Sequence, residues 1–172
     1  GVDLSVVMPI ATKESQNTTI NTWAAEVQEE TGAQLVICAK EKENYLDPRA
    51  NLMGSLKVGG RLLVPEKTVS EGDTLESGSY RFTVIETPGH TSGGMCLLCG
   101  GVLFSGDTLF QRGIGRVDLP TGNLRQIIAS IKNKLFALLE ETRVYPGHGL
   151  ATTIGYEKKH NEVYEWERYQ DE

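Results

Sequence analysis

Three short stretches of this chain place a side chain able to bind metal beside a glycine at the end of an apolar run. They are TPGH (87–90), SGDT (105–108) and YPGHG (145–149), and they present His90, Asp107 and His148. Glycine lets the backbone turn sharply there and aim the next side chain outward. Imidazole nitrogen and carboxylate oxygen are the donor types that hold zinc, iron or manganese. Taken singly, a loop histidine is more often hydrogen-bonded scaffolding, and a Gly-Asp pair more often a turn. Two of only three histidines in Pro-Gly-His loops move the balance towards one shared site. The third, His160 in EKKHNE, reads as a solvated helix residue. Cys96 and Cys99 match C-x-x-C, but strand positions three apart point to opposite faces, so they read as core cysteines rather than a zinc or redox pair.

The elements that must position these loops follow from hydrophobic period. LSVVMPI (4–10) and AQLVICA (33–39) are short apolar runs that predict buried strands. Between them a helix is expected through TWAAEVQEET, stopping at Gly32. EKENYLDPRANLMG predicts a helical turn and then a loop, because Pro48 biases Asp47 away from helix. GRLLVP, YRFTVIET, GMCLLC and GVLFSG read as successive strands. The stretch 123–139 predicts the clearest helix, with Leu124, Ile127, Ile128, Ile131, Leu135 and Leu138 on one face. RVYPGHG gives a last strand and loop, and TTIGYEKKHNEVYEWERYQ a surface helix. Strands that first alternate with helices and then cluster predict one layered α/β or α+β domain over residues 1–172.

Composition narrows the function classes. The chain has 172 residues and a formal net charge of −6, which disfavours nucleic acid and anionic membrane as partners. No apolar run is long enough to span a bilayer, and three cysteines do not make a disulfide framework. The reading is therefore a cytoplasmic protein.

TPGHTSGG, GVLFSGDTLF, GIGRVDLPTG and VYPGHGLATTIGYEKKHN, in this order, resemble the metallo-β-lactamase superfamily, and within it the glyoxalase II-like hydrolases. The resemblance runs from about Ala24 to Asn161. It implies an αββα sandwich with a two-metal site at one edge of the sheets, and hydrolysis of thioesters such as S-acylglutathione. It further implies that His90 binds a first metal, that Asp107 bridges, and that His148 binds a second, with Arg116 and Asp118 supporting the site.

The family's His-x-His-x-Asp-His motif should fall at residues 15–20, where this chain has Ser-Gln-Asn-Thr-Thr-Ile. LSVVMPI resembles the strand that leads into that motif, yet it opens the sequence, so an N-terminally truncated sandwich is expected. The chain is then a fragment, a truncated homologue, or one whose sheet a second copy or a partner chain completes. With three ligands left, at most one ion per chain (zinc, iron or manganese) is expected, with reduced or lost hydrolysis. Two other readings are a non-catalytic binding or assembly module on the same fold, and a sulfur-handling member such as a persulfide dioxygenase.

Overall fold

A computed structural model describes residues 6–7, 29–46 and 65–168. The first sheet pairs β1 (Val6–Val7), β2 (Leu35–Cys38) and β3 (Lys67–Val69) in that order, all parallel. Of the strand expected over 4–10, residues 6–7 are described and are strand; of the helix before Gly32, residues 29–31 are described and are helical. Gly32 ends it with φ +68°. The helical turn expected after β2 is a 3-10 turn, Ala39–Glu41, followed by α1 (Lys42–Leu46). The strand expected over 60–65 lies outside the described residues up to 64, and Pro65 itself is not strand. Residues 15–20 are also outside them.

The second sheet has six strands: β4 (Thr74–Ser77), β5 (Tyr80–Glu86), β6 (Met95–Cys99), β7 (Val102–Gly106), β10 (Arg143–Pro146) and β11 (Thr152–Thr153). Their order is β11-β10-β7-β6-β5-β4, with only β10 and β7 parallel. A separate hairpin, β8 (Leu109–Phe110) with β9 (Gly113–Ile114), follows Asp107.

Alternation along the strands decides what each face buries. Cys96, Leu103 and Val144 point to one face, under the helical Ile127, Ile131, Leu135, Ile154 and Val163. Each such isoleucine or leucine, fully buried, contributes about 1.5–3 kcal/mol. Met95, Leu75 and Val84 point to the other face and pack on Val36, Cys38 and Val69 of the first sheet. Sheet, sheet and helices thus stack in layers, as expected of a sandwich. Further along that second face, Phe82, Leu97, Phe104 and Tyr145 line an open apolar groove of about 390 Å³.

Two expected helices differ in detail. The one over 123–139 is α-helical only as α2 (Leu124–Ala129), then widens to a π turn (Ser130–Lys134) and tightens to a 3-10 turn (Leu135–Ala137). Four residues overshoot a turn of α-helix and fall short of a π turn, so switching form keeps Ile127, Ile131 and Leu135 on the core. The terminal helix is two helices, α3 (Ile154–His160) and α4 (Val163–Arg168). Asn161 breaks it: its side-chain oxygen accepts from Val163 N (2.9 Å) and its backbone is extended. Among the described residues no helix is long and apolar enough to cross a membrane.

The strand geometry also separates the two cysteines of the C-x-x-C. Cys96 is fully buried, and burial pushes its thiol up to about 11, while Cys99 is only half-buried. Cys38 is buried too, and burial raises it. A neutral-pH thiol reagent is therefore expected to label one thiol per native chain quickly, Cys99, and the other two only on unfolding. Rapid labelling of Cys96 in the folded protein would contradict its placement.

Candidate metal centre

His90, Asp107 and His148 converge at the ends of β5, β7 and β10. Asp107 sits between them, its side chain only 6% exposed. Oδ2 lies 3.6 Å from His90 Nε2, and Oδ1 lies 3.7 Å from His148 Nε2. Each histidine therefore faces a different oxygen of one carboxylate. Burial pushes the Asp107 carboxyl up, while the neighbouring His90 and His148 pull it back down.

The His90 ring is fixed by its other nitrogen. Nδ1 lies 2.7 Å from the Arg116 carbonyl oxygen, which can only accept, so Nδ1 carries the proton and donates. Nε2 is then the nitrogen left for a cation, the usual arrangement at histidine metal ligands. Arg116 in turn is held by a two-pronged pair with Asp118, at 2.6 and 2.5 Å, which drops the Asp118 carboxyl to about 2. The supporting role expected of Arg116 and Asp118 takes this form, with the backbone of Arg116 making the contact. Gly115, just before it, is obligatory: a Cβ there would lie 1.9 Å from the Asp107 carbonyl oxygen.

His148 is held differently. Its side chain is 45% exposed and its ring stacks on Phe110, centroids 4.4 Å apart and planes at 28°. His160, as expected, is exposed, and its ring lies beside that of Tyr156 on α3.

Two residues of the site carry no signal in the sequence. Phe110 looks like an ordinary strand aromatic until its ring meets His148. Glu41 lies in a turn with no motif, yet it is buried and shares a cavity of about 30 Å³ with Cys38, His90, Asp107 and Thr108. Its Oε2 accepts from Gly93 N at 2.6 Å, tying the His90 loop to the first sheet. Burial raises the Glu41 carboxyl, against hydrogen bonds from Thr91 and Gly93 and the charge of His90.

The three side chains do not gather around one point. Among the described residues no three His, Cys, Asp or Glu side chains form a ready-made metal cluster. What exists is two His–Asp pairs that share Asp107. The donor set still fits a divalent cation of borderline softness, since each pair offers one imidazole nitrogen and one carboxylate oxygen.

The metallo-β-lactamase superfamily model matches residues 22–148, so this chain belongs to the metallo-β-lactamase superfamily of metallo-hydrolases. It is 36% identical to an uncharacterized protein of Mycobacterium leprae over 81% of this chain and 68% of that one. It is 43% identical to the hydroxyacylglutathione hydrolase GloC of Haemophilus influenzae, over 53% of this chain and 44% of the relative. Among solved structures it is similar to the B3 metallo-β-lactamase BLEG-1, with TM-score 0.74 and 33% identity over 92% of this chain and 75% of that one. The di-iron-bound form of TTHA1623 superposes with TM-score 0.68 at 28% identity, over 91% and 87% of the two chains. Members of the superfamily thus carry metal at this fold, iron in that case.

Proposed function

We propose that this chain is a metal-dependent hydrolase of thioesters, with S-acylglutathione as the substrate class and a single weakly held ion. One observation carries the reading: a buried carboxylate, Asp107, turns each of its oxygens to a different histidine. No hydrogen-bonded scaffold needs that arrangement, and distances of 3.6 and 3.7 Å leave each pair short of a direct hydrogen bond. The name of the Haemophilus influenzae relative supports the substrate class.

His90 and Asp107 would hold the ion on the buried side, where the Arg116 carbonyl already fixes the imidazole. A divalent cation there would lower the pKa of a bound water and polarise the thioester carbonyl. Two protein ligands are fewer than the three of an ordinary catalytic zinc, so binding is weak. A second ion beside His148 would face the first across a single negative charge, which keeps occupancy at one or below. The half-exposed His148, facing the other oxygen of Asp107, would steady that carboxylate from the open side, so that losing it would weaken the hold on the ion as loss of an outer partner does.

Elemental analysis and hydrolysis of an S-acylglutathione, with and without added zinc, iron or manganese, test this. Turnover is expected only with added metal, and to fall about 10-fold or more in His148→Ala. Two tightly held ions on the purified protein would refute the single weak site. No hydrolysis at any metal concentration would refute the hydrolase.

A further inference from the structure

The motif TTIGYEKKHN lies beyond the three ligand loops, yet α3 carries a fully buried carboxylate, Glu157. Every oxygen of it is used. Oε2 accepts from Arg112 N at 2.8 Å and from Asn161 Nδ2 at 2.7 Å, and Oε1 accepts from Thr152 Oγ1 at 2.5 Å. Asn161, one turn later and also buried, reaches the same hairpin. Its Nδ2 donates to Gly113 O at 3.0 Å and more weakly to Phe110 O at 3.4 Å. Two side chains, one on α3 and one at its C-terminal cap, thus grip the β8–β9 turn from one side.

That turn needs holding. Arg112, at its tip, has φ +60°, the only non-glycine residue with positive φ among the described residues. An L-residue in this region costs roughly 1–2 kcal/mol and persists when its surroundings impose it. The Glu157 carboxylate, bonded to the Arg112 N–H, supplies that constraint. The hairpin it fixes carries Phe110, whose ring stacks on His148 at 4.4 Å.

We propose that Glu157 and Asn161 are positioning residues for the metal centre: they lock the 109–114 hairpin so that the Phe110 ring holds the His148 imidazole against Asp107. The consequence for metal binding rests on reading His148 as part of that centre. The positioning itself does not. Charge is not what the lock requires. In Glu157→Gln, the amide oxygen can still accept from Arg112 and Asn161, and the amide N–H can donate to the Thr152 hydroxyl, which turns to accept.

The chain has three histidines, so ring C–H resonances in a proton–carbon NMR spectrum of the metal-free protein report on His148 directly. Stacking on Phe110 shields them. Phe110→Leu is expected to move the His148 signals downfield and leave those of His90 in place. Glu157→Ala and Asn161→Ala are expected to do the same, and Glu157→Gln to retain the parent positions. Should Glu157→Ala fail to fold, Asn161→Ala carries the test with the carboxylate still on Arg112. His148 signals that stay put in a folded Glu157→Ala or Asn161→Ala variant, while Phe110→Leu moves them, overturn the proposal. Zinc affinity, by competition with a chromophoric chelator, is expected to drop roughly 10-fold in the same Ala variants. Moved His148 signals with unchanged zinc affinity would leave the positioning intact and remove His148 from the metal site.

Discussion

Asp107→Asn is expected to leave the metal-free protein as stable as before, or slightly more so, and to abolish its stabilisation by metal. The two effects have one origin. Asp107 is buried, and in the metal-free protein that burial pushes its carboxyl towards the neutral form. An amide of the same shape removes a buried charge, a change that is often neutral or favourable when neighbours can repack. The same amide is neutral, so its oxygen is a much poorer partner than the carboxylate for the cation that His90 and Asp107 would hold. Metal at 100 times its Kd stabilises a folded chain by about 2.7 kcal/mol. A thermal melt of the parent chain with excess zinc should show that gain, and the Asn variant should not. A variant that keeps the full metal-induced shift would place the ion away from Asp107.

Gly89→Ala is expected to be strongly destabilising. Gly89 has φ +140°, and a Cβ built on it lies 2.2 Å from the backbone nitrogen of Ile127 and 2.5 Å from its Cα. The contact is backbone on backbone, because the loop sits on the first turn of α2. Asn123 N donates to the Gly89 carbonyl at 2.7 Å, and Ser130 Oγ donates to the Pro88 carbonyl at 2.8 Å. Neither side can give way without releasing those bonds. Backbone strain of about 1–3 kcal/mol and overpacking of similar size together predict a loss of roughly 2–6 kcal/mol. Gly78→Ala is the control. Its φ is +59° but nothing lies within 4 Å of the added Cβ, so only the conformational cost of about 1–2 kcal/mol is expected. Urea denaturation midpoints measure both. Equal losses at the two positions would mean that the His90 loop is not seated on α2.

Much of this architecture is written in local pattern. The alternation of Met95, Cys96, Leu97 and Leu98 names the two faces of β6 without reference to anything distant. The three-and-four spacing of Leu124, Ile127, Ile131 and Leu135 names the helix face that covers one of them. The three glycine-flanked side chains His90, Asp107 and His148 were legible for the same reason, since residue type and the turn that presents it are neighbours in sequence. The π turn over Ser130–Lys134 was not, because it answers to the core that Ile131 and Leu135 must reach. The break at Asn161 was not, because its side chain serves a hairpin about fifty residues upstream.

The sequence by itself determined the fold class and the three residues that meet at the site. Only the tertiary structure decided which oxygen of Asp107 faces which histidine, that Arg116 fixes His90 through its carbonyl, and that Phe110 and Glu157 stand behind His148. The division has a physical cause. Donor type and backbone turning are properties of a few consecutive residues, whereas the direction of a donor atom is set by side chains and carbonyls that packing brings from elsewhere in the chain.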